Sequence, residues 1–209
     1  MQLSLARHGE TDWNAAGRIQ GQLDIPLNAR GHQQAAALAH ALAGQHFDAV
    51  YCSDLARARE TAAPVAGRLG VPLTVSAIWR ERHHGRMQGQ TYAELAAAWP
   101  DGHRRLRARD PHFDVDGGES LVQLTERCRQ ALADLATRHR EQSVLVITHG
   151  GLLDVLYRLV TGEPLHTPRQ VAIRNGALHR LQLGSQGWQL LSWGSEAHLD
   201  HARDELPDA

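Results

Sequence analysis

Leu3-Ser4-Leu5-Ala6-Arg7-His8-Gly9-Glu10-Thr11 decides how this chain is read. A short, mostly apolar run, residues 2–6, reads as a strand that ends in an arginine, a histidine and a glycine. In open α/β sheets the chemistry sits outside the carboxyl ends of the strands. A second stretch has the same form: Val144-Leu145-Val146-Ile147-Thr148-His149-Gly150-Gly151. Its unbroken apolar run is of the kind buried on both faces of a parallel sheet. Two histidines, each closing a strand and each followed by glycine, can meet at one sheet edge.

Working outward, residues 49–52 and 71–75 read as two further strands. Residues 31–44 read as a helix with Ala35, Leu38, Ala39 and Leu42 on its buried stripe. Ser53 and Asp54 are suited to capping a helix over 55–69. Thr91 suits the start of a helix over 92–99, which Pro100 stops. The clearest helix starts at Glu119 or Ser120 and reaches about residue 140. Its residues Leu121, Leu124, Cys128, Leu132 and Leu135 form one apolar face, which accounts for Cys128 as core packing. Another helix spans 151–161 and stops at Gly162 and Pro164. Residues 171–183 and 188–193 read as closing strands about a turn at 184–187. Residues 7–30 and 79–89 are irregular. Residues 100–118 are the most polar and least regular, a candidate lid or substrate loop, and the chain ends in a polar tail from about 195. Strands alternating with helices predict a three-layer α/β/α sandwich with a mainly parallel central sheet. A length of 209 residues predicts one domain over 1–209.

Composition narrows the function. A formal charge of −1 and 5% aromatic residues argue against a nucleic-acid partner and against an anionic membrane surface. No apolar run is long enough to span a bilayer, and the N-terminus does not read as a signal peptide. Cys52 and Cys128 lie far apart without metal-ligand spacing, which points to reduced thiols and a cytoplasmic protein. With 14 histidines in the chain, any single one carries little weight.

At Arg7-His8-Gly9-Glu10-Thr11 and Thr148-His149-Gly150-Gly151 the chain resembles the histidine phosphatase superfamily, which includes cofactor-dependent phosphoglycerate mutases and related phosphatases. The resemblance continues through Asn14, Gly17-Arg18-Ile19-Gln20-Gly21 and Asp24-Ile25-Pro26-Leu27. It then takes in Tyr51-Cys52-Ser53-Asp54-Leu55-Ala56-Arg57-Ala58, Arg80-Glu81-Arg82-His83 with Gly85 and Gly89, and Gly117-Gly118-Glu119-Ser120. It covers residues 3 to 155 and implies a phosphoglycerate mutase-like fold. It also implies a metal-independent, cofactor-free phosphatase acting on a small phosphorylated metabolite. His8 would be the nucleophile that forms a phosphohistidine. Glu81 would be the general acid and then base, and His149, when protonated, a further donor to the phosphate. Arg7, Asn14 and Arg57 would hold the phosphate. The residue types suit that chemistry. A transferring phosphoryl group spreads negative charge over three oxygens, which a guanidinium fork can bind in pairs without losing its own charge. An imidazole attacks phosphorus only through an unprotonated nitrogen, so its other N–H must be held.

Taken singly, each residue has a plainer reading: Arg7-His8-Gly9 a polar strand end, Arg57 a solvated helix residue, Glu81 a surface partner of Arg80 or Arg82, His149 a satisfied turn histidine. Their joint order favours catalysis. The alternatives are a phosphoglycerate mutase, which must keep water from the phosphohistidine, and a non-catalytic phosphate-binding module. His83, His84, His103 and His112 lack a metal-ligand spacing and read as loop histidines. Arg104, Arg105, Arg107 and Arg109 read as a solvated face ahead of a second anion site. Trp188 and Trp193 read as core or edge packing. A homodimer is left open.

Overall fold

The computed structural model describes residues 1–199. Its strands are β1 (Gln2–Arg7), β2 (Ala49–Cys52), β3 (Leu73–Val75), β4 (Ser143–Thr148), β5 (Leu178–Gly184) and β6 (Gly187–Ser195). They form one sheet in the order β3-β2-β4-β1-β5-β6. The four strands from β3 to β1 are parallel, and β5 runs antiparallel to both β1 and β6. The helices are α1 (Asp12–Ala15), α2 (Ala29–Ala41), α3 (Ala56–Leu69), α4 (Tyr92–Ala98), α5 (Pro100–Arg107), α6 (Leu121–Arg138) and α7 (Gly150–Thr161).

Alternation along the central strands builds the three layers. Leu3 and Leu5 of β1 and Val144 and Val146 of β4 join a core with the apolar faces of α6 and α7. Ala6, Leu145 and Ile147 turn the other way, into a second core with α2 and α3. Leu121, Leu124, Cys128, Leu132 and Leu135 all lie in the first core, as their spacing predicts. The α/β/α sandwich with a mainly parallel sheet is therefore the observed architecture. Arg7 pairs with Thr148 in the parallel register, so the chain leaves β1 and β4 at the same level, and His8 and His149 emerge side by side.

Four local expectations are corrected. First, α3 begins at Ala56, and its N-cap Leu55 supplies no side-chain bond. Ser53 takes the Leu55 N–H instead, Asp54 is drawn to Arg80 at 2.7 Å, and Asp24, from the 7–30 loop, accepts the Ala56 N–H at 2.6 Å. Second, residues 12–15 of that loop form the short α1, with Thr11 and Asn14 as a reciprocal capping box. Third, the first eight residues of 100–118 form the helix α5. This region packs on a third apolar cluster of Ile19, Met87, Leu95, Phe113 and Val115. Arg104 pairs with Asp101 at the surface and Arg107 is exposed, as a solvated face predicts, whereas Arg105 pairs with Asp110 and Arg109 with the buried Asp154 of α7. Fourth, residues 171–177 are not strand, because their polar groups turn toward the end of β1: Gly176 N–H donates to Arg7 O and Arg7 Nη1 donates to Ile173 O. The polar tail begins later than expected, since Leu199 is buried against Gly176. The remainder of that tail lies outside the described residues. Among those residues, no helix is long and apolar enough to cross a membrane.

Candidate active site

The carboxyl ends of β2, β4 and β1 lie next to one another and deliver Arg57, His149 and His8 to one place. The His8 and His149 ring centroids are 5.0 Å apart, and both side chains are buried. His8 Nδ1 lies 2.6 Å from the Gly9 carbonyl oxygen. A carbonyl only accepts, so the proton sits on Nδ1 and the lone pair on Nε2. Burial, then the guanidiniums of Arg57 and Arg7, push the His8 pKa well below its ordinary value, so the ring is neutral.

His149 is arranged the opposite way. Its Nδ1 accepts from Arg57 Nε at 3.2 Å, so Nε2 carries the proton and is buried without a partner among the described residues. Burial, then Arg57 and His8, hold its pKa well down as well. In the free protein His149 is therefore a neutral N–H donor, since a ring already accepting from a guanidinium does not bind a second proton there.

Arg57 stands fully buried in the first turn of α3. Besides His149 it donates to Leu23 O at 2.8 Å and Gly21 O at 2.7 Å. The Gly17–Gly21 and Asp24–Leu27 motifs thus have a physical role, because their loop orients the guanidinium fork. Burial lowers the Arg57 pKa to about 10, still far above neutrality. Arg7 closes β1 and is anchored through Ile173 O at 2.5 Å. Asn14 commits its amide oxygen to Thr11 N–H at 3.2 Å and to Asn175 Nδ2 at 3.3 Å. That leaves the amide nitrogen as the Asn14 group able to meet an anion.

Glu81 is not the surface partner of Arg80 or Arg82. Arg80 pairs with Asp54, and the Arg82 guanidinium donates to Glu119 O and Phe113 O. The Glu81 carboxylate instead accepts two backbone N–H bonds, from Arg82 at 2.7 Å and from Gly151 at 2.9 Å. The second bond brings Glu81 to the start of α7, two residues from His149. A Cβ at Gly151 would overlap Glu81 Oε1, so the carboxylate keeps this position only against glycine.

Sequence reasoning missed several supporting residues. Arg127 of α6 donates to three carbonyls of the Glu81 segment, Ile78 O, Arg80 O and Glu81 O, and pairs with Glu119. It lies one residue from the apolar stripe and looks like any solvated helix arginine. Asn175 is fully buried and donates to His8 O at 2.9 Å. Thr61 and Gln34, also fully buried, accept the N–H groups of Gly9 and Glu10. Only their polar character on otherwise apolar helix faces could have flagged Thr61 and Gln34. Among the described residues, no three His, Cys, Asp or Glu side chains come together as a cation site.

Residues 3–196 match the family model described as histidine phosphatase superfamily (branch 1). A metal-independent phosphoserine phosphatase of Arabidopsis thaliana is 36% identical over 95% of this chain and 83% of its own length. A probable phosphoglycerate mutase GpmB of Serratia proteamaculans is 34% identical over 99% of both chains. A phosphoserine phosphatase variant from Entamoeba histolytica, solved in complex with phosphoserine, superposes with a TM-score of 0.86 at 27% identity, over 95% of this chain and 98% of that one.

Proposed function

Because this chain belongs to the histidine phosphatase superfamily, we propose that it hydrolyses small phosphomonoesters without a metal, through a phosphohistidine on His8. The observation that carries this reading is the 2.6 Å contact between His8 Nδ1 and Gly9 O, which leaves the lone pair of a neutral ring on Nε2, in the field of Arg57 and Arg7.

In the first step His8 Nε2 forms a bond to phosphorus as the bond to the leaving oxygen breaks. Glu81 gives that oxygen its proton. In the second step water attacks the phosphohistidine, the Glu81 carboxylate takes a proton from the water, and His8 leaves as the neutral ring. Inorganic phosphate is released and both groups return to their starting states. Arg7 and Arg57 meet the charge on the equatorial oxygens, with Asn14 and His149 Nε2–H as neutral donors. A bound phosphate dianion also offsets the field of the two guanidiniums. That makes protonation of His149 easier with substrate present than in the free protein.

The substrate class is a small phosphorylated metabolite, with phosphoserine the first ester to try. The two buried free thiols fit a reducing, cytoplasmic setting. The test is phosphate release from p-nitrophenyl phosphate and phosphoserine, with and without a chelator, by wild type and His8→Ala. Chelator-resistant turnover that vanishes in the variant is expected. Turnover by His8→Ala at the wild-type rate would overturn the mechanism. A phosphate stably retained on His8 without release would mark a mutase instead.

A further inference from the structure

The nucleophile stands on a turn held by two backbone bonds, His8 N–H to Thr148 O and Asn28 N–H to Glu10 O, and by three side chains from elsewhere. The peptide between His8 and Gly9 is bonded at both ends: its C=O accepts from Asn175 Nδ2 at 2.9 Å, and its N–H donates to Thr61 Oγ1 at 2.9 Å. The next peptide is held the same way. Its C=O, that of Gly9, accepts from His8 Nδ1, and its N–H, that of Glu10, donates to Gln34 Oε1 at 2.7 Å. Asn175, Thr61 and Gln34 are all fully buried and come from three elements: the 171–177 segment, α3 and α2. A buried polar side chain costs free energy unless its bonds are made, so three of them on one turn call for a reason.

The residue between the two peptides is Gly9. It has to be glycine, since a Cβ would stand 2.5 Å from Gly31 O. Glycine is also the residue least able to hold its own dihedrals. Left to itself, Gly9 would let its carbonyl swing away from His8 Nδ1. The imidazole would then sample both tautomers, and only one of them carries the lone pair on Nε2.

We propose that Asn175 and Thr61 are positioning residues that lock the His8–Gly9 peptide and, through the Gly9 carbonyl, hold His8 in the Nδ1–H tautomer. Gln34 completes the lock on the following peptide. Thr61 also donates to Arg57 O at 2.7 Å, so the same hydroxyl ties the tautomer lock to the helix that carries the phosphate-binding guanidinium. Asn175 reaches Asn14 as well, which joins the lock to the loop on the other side. The Arg57 guanidinium itself is held separately, on Gly21 O and Leu23 O. The proposal rests on His8 being the nucleophile, but its first readout does not require turnover.

The test is the ¹⁵N NMR spectrum of the His8 imidazole in wild type, Asn175→Ala, Thr61→Val and Thr61→Ser, assigned by comparison with His8→Ala. Wild type and Thr61→Ser should show a protonated Nδ1 and a bare Nε2. Asn175→Ala and Thr61→Val should show both nitrogens shifted toward the tautomer average. In the same proteins kcat on p-nitrophenyl phosphate should fall about 10- to 100-fold, as small displacements of reacting groups do. The dissociation constant for inorganic phosphate should stay within about twofold, since Arg7 and Arg57 remain. Thr61→Val preserves side-chain size, so it tests the lock even where Asn175→Ala does not fold. A wild-type tautomer signal in the folded variants would overturn the proposal. A shifted signal in a protein whose wild type releases no phosphate would keep the lock and remove the phosphatase reading.

Discussion

Replacing Gly151 by alanine should separate the acid from the rest of the site. Gly151 is the second residue of α7, and its N–H donates to Glu81 Oε2 at 2.9 Å. A methyl group there would overlap Glu81 Oε1 and stand 3.2 Å from Glu81 Cδ. The carboxylate must retreat by about 1 Å to regain ordinary contact. The obstacle is the tip of a flexible side chain, and alanine is better than glycine in a helix by about 0.5–1 kcal/mol. The urea unfolding midpoint should therefore hold or rise. The proton transfer should not survive as well, because a displacement near 1 Å in a reacting group can cost about 100-fold. The loss should depend on the leaving group. A serine alkoxide needs its proton in the transition state, whereas p-nitrophenolate leaves with little help. We expect kcat/KM on phosphoserine to fall about 100-fold and on p-nitrophenyl phosphate less than about fivefold. The ratio kcat/KM is the right quantity, since it reports the phosphorylation step and not the later attack of water. Equal losses on both esters in a folded protein would remove Glu81 from the acid role and refute this reasoning.

Glu81→Gln should show the same leaving-group pattern more strongly, with kcat/KM on phosphoserine down about 10²–10⁴-fold; an unchanged ratio between the two esters would contradict it. Gly31→Ala makes the opposite case. Its Cβ would overlap Glu10 O and lie 2.9 Å from Glu10 N, backbone atoms that cannot step aside. It should cost about 1–3 kcal/mol in urea unfolding, and a wild-type midpoint would show that the 9–10 turn is softer than its contacts imply. The pH dependence of stability follows from four neutral histidines. Burial, chiefly, pushes His84 and His179 down to about 3, and holds His8 and His149 well below 6.5. Below pH 6.5 the unfolded chain takes up protons that the folded chain refuses, so stability falls as pH drops, by up to about 1.4 kcal/mol per pH unit for each group. Between pH 7 and pH 5 the urea midpoint should decline steadily, and a flat profile would show that these rings are protonated in the native state.

What could be read from the sequence was what repeats locally. The spacing of Leu121, Leu124, Cys128, Leu132 and Leu135 marks a helix face in any context, and the core confirms it. The apolar runs before His8 and His149 mark adjacent strand ends in the same way. What could not be read depends on partners far along the chain. Ser53 and Asp54 look like a cap, yet the helix takes its side-chain bond from Asp24, across 32 residues. Arg109 looks solvated in a basic run, yet it lies on Asp154 across 45 residues. The site shows why such bonds matter. The motifs place an imidazole, a guanidinium and a carboxylate, but a motif does not say which nitrogen bears the proton. That is decided by Arg57 on His149 across 92 residues, and by the Gly9 carbonyl on His8, itself preceded by a peptide bonded to Thr61 across 52 residues and Asn175 across 167. Residue types sit in the sequence, whereas protonation sites belong to the fold. Substituting Thr61 or Asn175 should therefore disturb the chemistry while leaving every recognisable motif in place.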